Sequence, residues 1–285
     1  MDDHIKSAKD GIGLVADLLK AAGDNPEVRE AGANLGQTAL TITRTINNAL
    51  LPLAAVNFAF DKARRYFAEK FESDLQSRTR ALPYDQIVEP KASIAGPALQ
   101  GLAFTHEEPD LRDMYLSLLA TAMDRRSASS AHPAFVEIIK QLEGDEAQLL
   151  RIVLTTSGSL PIVQVRQATV GKQGWREIAN HLMNLCDTTT RQAIENPTQP
   201  AMVDNWVRLG LVEVTYNKYL MDEQAYAWVD ERPEYKRLKG QRETEEVRVS
   251  FERGCIGRTA FGLKFAAAVG LLSEPRPAPP FEGAV

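Results

Sequence analysis

Cysteine is nearly absent from this chain: Cys186 and Cys255 are the only two among 285 residues. Two thiols cannot build a disulfide framework or a cysteine-rich zinc site, so the fold must rest on an apolar core. There is no excess of basic charge either. Thirty-three Lys and Arg against 38 Asp and Glu leave a net charge of −5, which removes a chain-wide cationic surface of the kind that gathers nucleic acid. No run of about eighteen uninterrupted apolar residues occurs, which argues against an ordinary transmembrane helix. The start, Met1-Asp2-Asp3-His4, is acidic where a secretory leader is basic. The expectation is a cytoplasmic protein in reducing surroundings.

Motifs of known chemistry are missing too. Gly96 to Gly101 has the gap of a phosphate loop, but Leu102 stands where the lysine belongs. Gly171-Lys172-Gln173-Gly174 has the outline of a nucleic-acid clamp without the flanking pattern of that fold, and reads as a turn. Ser157 and Ser159 lie in no nucleophile elbow. Glu177 and His181, four apart, would share a helical face as a metal pair does, but no third ligand accompanies them. Asp110 and Asp113 beside Glu107 and Glu108 are explained by first-turn acids facing a helix dipole. The residues therefore predict no catalytic site, no metal and no cofactor.

What is present is helical periodicity. Ile5 to Ala22 has one apolar face, and from Ala31 to Phe60 a single charge, Arg44, occurs in thirty residues. There Leu35, Ala39, Ile42, Ile46, Ala49, Leu53, Val56 and Phe60 alternate steps of four and three, the seam of a coiled coil. Gly32 and Gly36 would allow close backbone approach, and Pro52 should kink the helix. This stretch is the candidate self-association element, through Gly32, Gly36, Ile42, Ile46 and Leu53, and its low charge makes membrane insertion a lesser alternative. Further helices are expected over about 109–126, from Pro133 to Leu142 and from Asp145, with Thr105 and Glu108 as a capping box and His132 capping or packing at a helix start.

The second half changes character. Pro161–Val165, Leu211–Tyr216, Val247–Phe251 and Cys255–Ile256 read as strands, Trp175–Cys186 and Ala201–Leu209 as helices, and Thr259–Val269 as a last helix. That order suggests a winged-helix unit with an enlarged wing over Asn217–Glu246. The predicted class is mainly α: a helical domain over 1–143, a winged-helix-like α+β domain over 144–272 and a proline-rich tail over 273–285. A winged helix raises DNA as a partner. Its candidate contacts are Arg208 on the recognition helix and Lys218, Lys236 and Arg237 in the wing, although acids of similar number accompany them.

Several segments together resemble the Abi-alpha (abortive infection alpha) family of bacterial proteins. They are Leu50-Leu51-Pro52-Leu53, Asp110-Leu111-Arg112-Asp113-Met114-Tyr115 running into Leu118-Leu119-Ala120, and His132-Pro133-Ala134-Phe135-Val136-Glu137-Ile138-Ile139. Asn205-Trp206-Val207-Arg208-Leu209-Gly210-Leu211 and Thr259-Ala260-Phe261-Gly262 with Phe265 follow. Trp206 stands where members commonly carry an aliphatic residue, and Arg258 where leucine is usual. The resemblance implies a role in defence against phage, often by arresting the infected cell, and brings no catalytic residues with it. The expectation is a defence protein acting through self-association or a protein partner, with a DNA-binding regulator as the alternative and a membrane-perturbing effector as the third.

Overall fold

A computed structural model describes residues 57–272 apart from Thr188 and Arg191. Gly32, Gly36, Ile42, Ile46 and Leu53, the helix expected over Ile5–Ala22 and the proline-rich tail lie outside the described residues. The chain divides into two units, one holding the residues up to Gln141 together with those from Ala266, the other Leu142–Phe265.

The first unit is helical: α1 Asn57–Glu69, α2 Phe71–Thr79, α3 Ala92–Thr105, α4 Pro109–Met123 and α5 Pro133–Ile139. Its core joins Ile94, Ala98, Leu99 and Leu102 of α3 to Leu111, Met114, Tyr115 and Leu118 of α4 and to Phe135, Val136 and Ile139 of α5, all buried. The α3–α4 approach is close because Gly101 has no side chain. A Cβ there would lie 2.3 Å from the Tyr115 hydroxyl oxygen. Pro97 sits inside α3 and the whole of Gly96–Gly101 is helical, so the glycines form no phosphate loop. The expected capping box also fails: Thr105 closes α3 by donating to the Gly101 carbonyl at 3.1 Å, and Glu108 precedes α4 without a side-chain cap. His132 does cap α5, its ring nitrogen accepting from the Ala134 N–H at 3.1 Å.

The second unit corrects the expected class. It contains α6 Gly144–Thr155, β1 Ser159–Thr169, β2 Arg176–Leu182, α7 Gln199–Arg208, β3 Val212–Thr215, α8 Pro233–Arg242 and β4 Val247–Arg258, and α9 Ala260–Ala268 begins in it. The strands form one antiparallel sheet in the order β2-β1-β4-β3. The described architecture is α+β rather than mainly α, and the winged-helix expectation falls with it. The decisive segment is 176–182, expected to be helical and found as a strand. It forms a hairpin with β1 across Gly171 and Gly174, whose φ values of 75° and 92° suit a turn that only glycine adopts without strain. A single helix, α7, therefore stands where a winged helix needs two.

The misreading has a physical cause. Val163 pairs with Leu182, Val165 with Ala179 and Arg166 with Glu177, so β2 carries two extra residues over that span. Each extra residue is a bulge, and bulges put apolar residues three and four apart on one face, as in a helix. Leu182, Ala179 and Ile178 accordingly join one core with Val163, Val165 and Val249 of the sheet and Tyr226, Val229 and Tyr235 of the Asn217–Glu246 excursion. That excursion is held by a buried arginine. Arg232 donates to the Leu185 and Ile194 carbonyls at 2.6 and 2.8 Å and pairs with Glu234 at 2.5 Å.

α9 is seated by three neighbouring groups. The Thr259 hydroxyl donates to the Gly210 carbonyl at 2.6 Å and accepts the Gly262 N–H at 2.8 Å, while a Cβ at Gly262 would lie 2.0 Å from the Leu211 carbonyl oxygen. Gly262→Ala should therefore destabilise the protein by about 1–3 kcal/mol through overpacking. Gly240→Ala, in α8 with open space around it, should stabilise by about 0.4–1 kcal/mol. Denaturant unfolding of the two variants checks both signs.

Candidate functional site

The two faces of the sheet differ in chemistry because β1 alternates. Val163 and Val165 enter the apolar core, while Gln164 and Arg166 point to the opposite face. Gln164 pairs in register with Glu252 of β4, which brings three polar side chains together. The Arg166 guanidinium donates to Glu252 at 2.5 Å and to the Gln164 carbonyl oxygen at 2.8 Å. The buried Gln164 amide donates in turn to Asn180 at 2.9 Å, and Asn180 to Glu177 at 3.0 Å. Above this line the indole of Trp175 lies against Arg166, the guanidinium carbon 3.7 Å from the ring centre.

A second group adjoins the first. His181 is the one described residue other than glycine with positive φ, 59°, at the bulged end of β2. Its main-chain N–H and C=O are both satisfied by side chains. The N–H donates to the Tyr216 hydroxyl at 3.2 Å, and the carbonyl accepts from the buried Gln199 amide at 2.7 Å. The ring stacks near-parallel to Tyr216, with Nδ1 2.9 Å from the Tyr216 hydroxyl and Nε2 3.1 Å from Asp204. The Tyr216 hydroxyl therefore meets both the main-chain N–H and the ring of His181, while the far ring nitrogen meets the Asp204 carboxylate. Burial, with Glu177 and Asp204 nearby, pushes the Tyr216 phenol up to about 12 against the opposing pull of the His181 N–H and Arg166.

Tyr216 follows β3, at one edge of the sheet, while His181 belongs to β2 at the other. Their contact therefore links the two edge strands. It is possible because Gly254 of β4 lies under the ring: a Cβ there would sit 2.5 Å from a Tyr216 ring carbon. The arrangement holds an imidazole, a neutral phenol and a paired guanidinium in fixed places. Among the described residues no group of three or more His, Cys, Asp or Glu is placed to hold a metal ion. Glu177 and His181 lie on a strand, with Glu177 turned to Asn180 and His181 to Asp204.

The other sequence candidates are placed as follows. Arg208 is exposed at the end of α7 and donates to Asn205 at 2.6 Å. Lys218 is exposed after β3. Lys236 pairs with Glu231 at 2.6 Å and Arg237 with Glu195 at 2.7 Å, two ion pairs within the second unit. Gln164, Arg166, Trp175, Asp204 and Tyr216 escaped the sequence reading. The polar-apolar alternation of Ile162-Val163-Gln164-Val165-Arg166 was the available signal.

The profile of the family described as abortive infection alpha matches residues 63–269, which includes every residue of this site. The chain belongs to the Abi-alpha family. No curated protein and no solved structure matches it with significance. Membership associates the protein with abortive infection, and the structure shows what the shared segments of an Abi-alpha chain do here. Asn205 donates to Glu146 at 2.9 Å, and Glu146 also completes the capping box that opens α6. Trp206 is fully buried, Gly210 turns with φ 71°, and Thr259 and Gly262 seat α9. No described helix is long and apolar enough to cross a membrane.

Removing the hydroxyl in Tyr216→Phe leaves the His181 N–H without its partner and should cost about 1–2 kcal/mol. The pH dependence has a definite sign. An unfolded phenol ionises near 10, the folded one at about 12. The stability Tyr216 contributes is thus whole below about pH 10 and is lost as pH rises toward 12. Between pH 9 and 11, Tyr216→Phe should lose less stability than the wild type in denaturant titrations.

Proposed function

We propose that this Abi-alpha protein defends a bacterial cell against phage by abortive infection, and that it acts by binding, through self-association or a protein partner, rather than by catalysis. The observation that supports binding is the state of the polar face. Both ring nitrogens of His181 are engaged, the Tyr216 phenol is held neutral, and Arg166 is paired and stacked. Groups suited to acid–base work are spent on holding the sheet together. Self-association rests on the seam register of Ala31–Phe60, of which all but the last four residues, Asn57–Phe60, lie outside the described residues. The free thiols Cys186 and Cys255 are in keeping with a reducing cytoplasm.

Phage challenge of a culture expressing the chain tests the reading. Protection at low multiplicity with collapse of the culture at high multiplicity is expected, and loss of the protein without any change in phage yield would sink the defence role. Ile42→Asp with Ile46→Asp should convert an oligomer to monomer in light scattering and abolish protection together. Protection by a stable monomer would remove self-association and leave the partner reading.

A further inference from the structure

The β1–β2 hairpin carries a feature that neither the polar face nor the family role uses. Its tip, Val170 to Trp175, is exposed throughout, and is tied to the sheet by the Val170 N–H on the Glu246 carbonyl at 2.8 Å and by Trp175 on Arg166. Val170 and Trp175 are 56% and 52% exposed, and a Cβ on Gly171 or Gly174 would meet nothing within 4 Å. From Thr169 to Arg176 the charges are Lys172 and Arg176, with no acid, in a chain whose net charge is −5. Arg248 pairs in register with Ala168 and is exposed on the face that carries Arg166. Lys172, Arg176 and Arg248 make no ion pair among the described residues, whereas Lys236, Arg237 and Arg166 each hold an acid. Glu177, Glu245 and Glu246 lie beside the tip, equal in number to Lys172, Arg176 and Arg248, so the cations act as separate contacts and not as a net positive patch.

The indole is prepared for one kind of ligand. Arg166 covers one of its faces at 3.7 Å and is itself fixed by Glu252 and Gln164, while about half of the Trp175 surface, 52%, stays exposed. A flat, fixed aromatic face suits a planar ring, which completes a guanidinium–indole–ring stack. The glycines beside Lys172 and Gln173 let a charged group come close to the main-chain N–H groups. Planar rings alternating with anionic groups are the composition of a nucleic-acid strand, and only an unpaired strand offers its bases for stacking.

We propose that the tip of this hairpin binds single-stranded nucleic acid, a base stacking on Trp175 and neighbouring phosphates meeting Lys172, Arg176 and Arg248. This site is separate from Arg208, which a winged helix would place in a duplex groove. It is also independent of the defence role, because strand binding and phage protection are read in different assays. With three cations and flanking acids, the interaction is weak and strongly dependent on salt.

The test uses the full chain and fluorescently labelled oligothymidylate and oligouridylate in an anisotropy titration. Saturable binding is expected at about 50 mM salt, weakened roughly tenfold at about 200 mM. Trp175→Ala should weaken it by about tenfold or more, and Trp175→Phe, which keeps a ring, by much less. Lys172→Glu should also weaken it, and circular dichroism of each variant should match the wild type. In the unlabelled titration the oligonucleotide should quench indole emission, because Trp206 is fully buried and Trp228 half-buried. A tighter complex with one strand chemistry would name DNA or RNA as the source. Absence of saturable binding at low salt overturns the proposal. So does a Trp175→Ala protein that binds as tightly as wild type, a duplex that binds as tightly as the single strand, or displacement by polyglutamate at equal charge.

Discussion

The second unit depends on the pairing of β1 with β4, which runs without a break from Ser159–Gly257 to Thr169–Val247. These segments are nearly ninety residues apart in sequence, so their loop is expensive to close and must be repaid by a long ladder. Everything polar on the exposed face follows from that register. It sets Glu252 opposite Gln164, puts Arg166 between them, and brings Gly254 under Tyr216. A slip of one residue would turn Val163 and Val165 to the polar side and break both the core and the network.

Close backbone approach is the second constraint. Gly101 against Tyr115, Gly254 against Tyr216 and Gly262 against the Leu211 carbonyl are three places where a methyl group does not fit. In each the partner is a ring or a main-chain oxygen, which cannot turn aside as the end of a long side chain can. His181 shows the complementary case, a strained backbone position kept because both of its main-chain groups and both ring nitrogens find partners. The same capping leaves the edge of β2 with less to offer a foreign strand, and the bulges twist it further from a flat template.

Much of the fold was legible in sequence. Helices with one apolar face, such as those containing Leu111 and Tyr115 or Phe135 and Ile139, announce themselves by spacing, and His132 before Pro133 marks a helix start. β2 was not legible, since two bulges give Ile178, Ala179 and Leu182 the spacing of a helix. Nor was the continuity of β4, whose Gly254 and Gly257 look like an interruption until Tyr216 and Ser159 are seen to occupy the space they leave. The polar face was hidden for a related reason. Arg166, His181, Asp204, Tyr216 and Glu252 are scattered along the chain, and only sheet register and the α7 helix bring them together.

The division of the chain falls inside α9, between Phe265 and Ala266. The first turns of that helix lie on Leu211 and Gly210, whereas near its end the Ala268 carbonyl accepts from Thr121 at 2.8 Å and Gly270 sits against Ser117. The helical unit therefore takes part of its structure from residues made more than a hundred positions later. On the ribosome the unit translated first is finished last. Until Ala268 and Gly270 emerge, the hydroxyl of Thr121 lacks its native acceptor and Ser117 lacks its close neighbour. The second unit, contiguous from Leu142 to Phe265, is under no such delay.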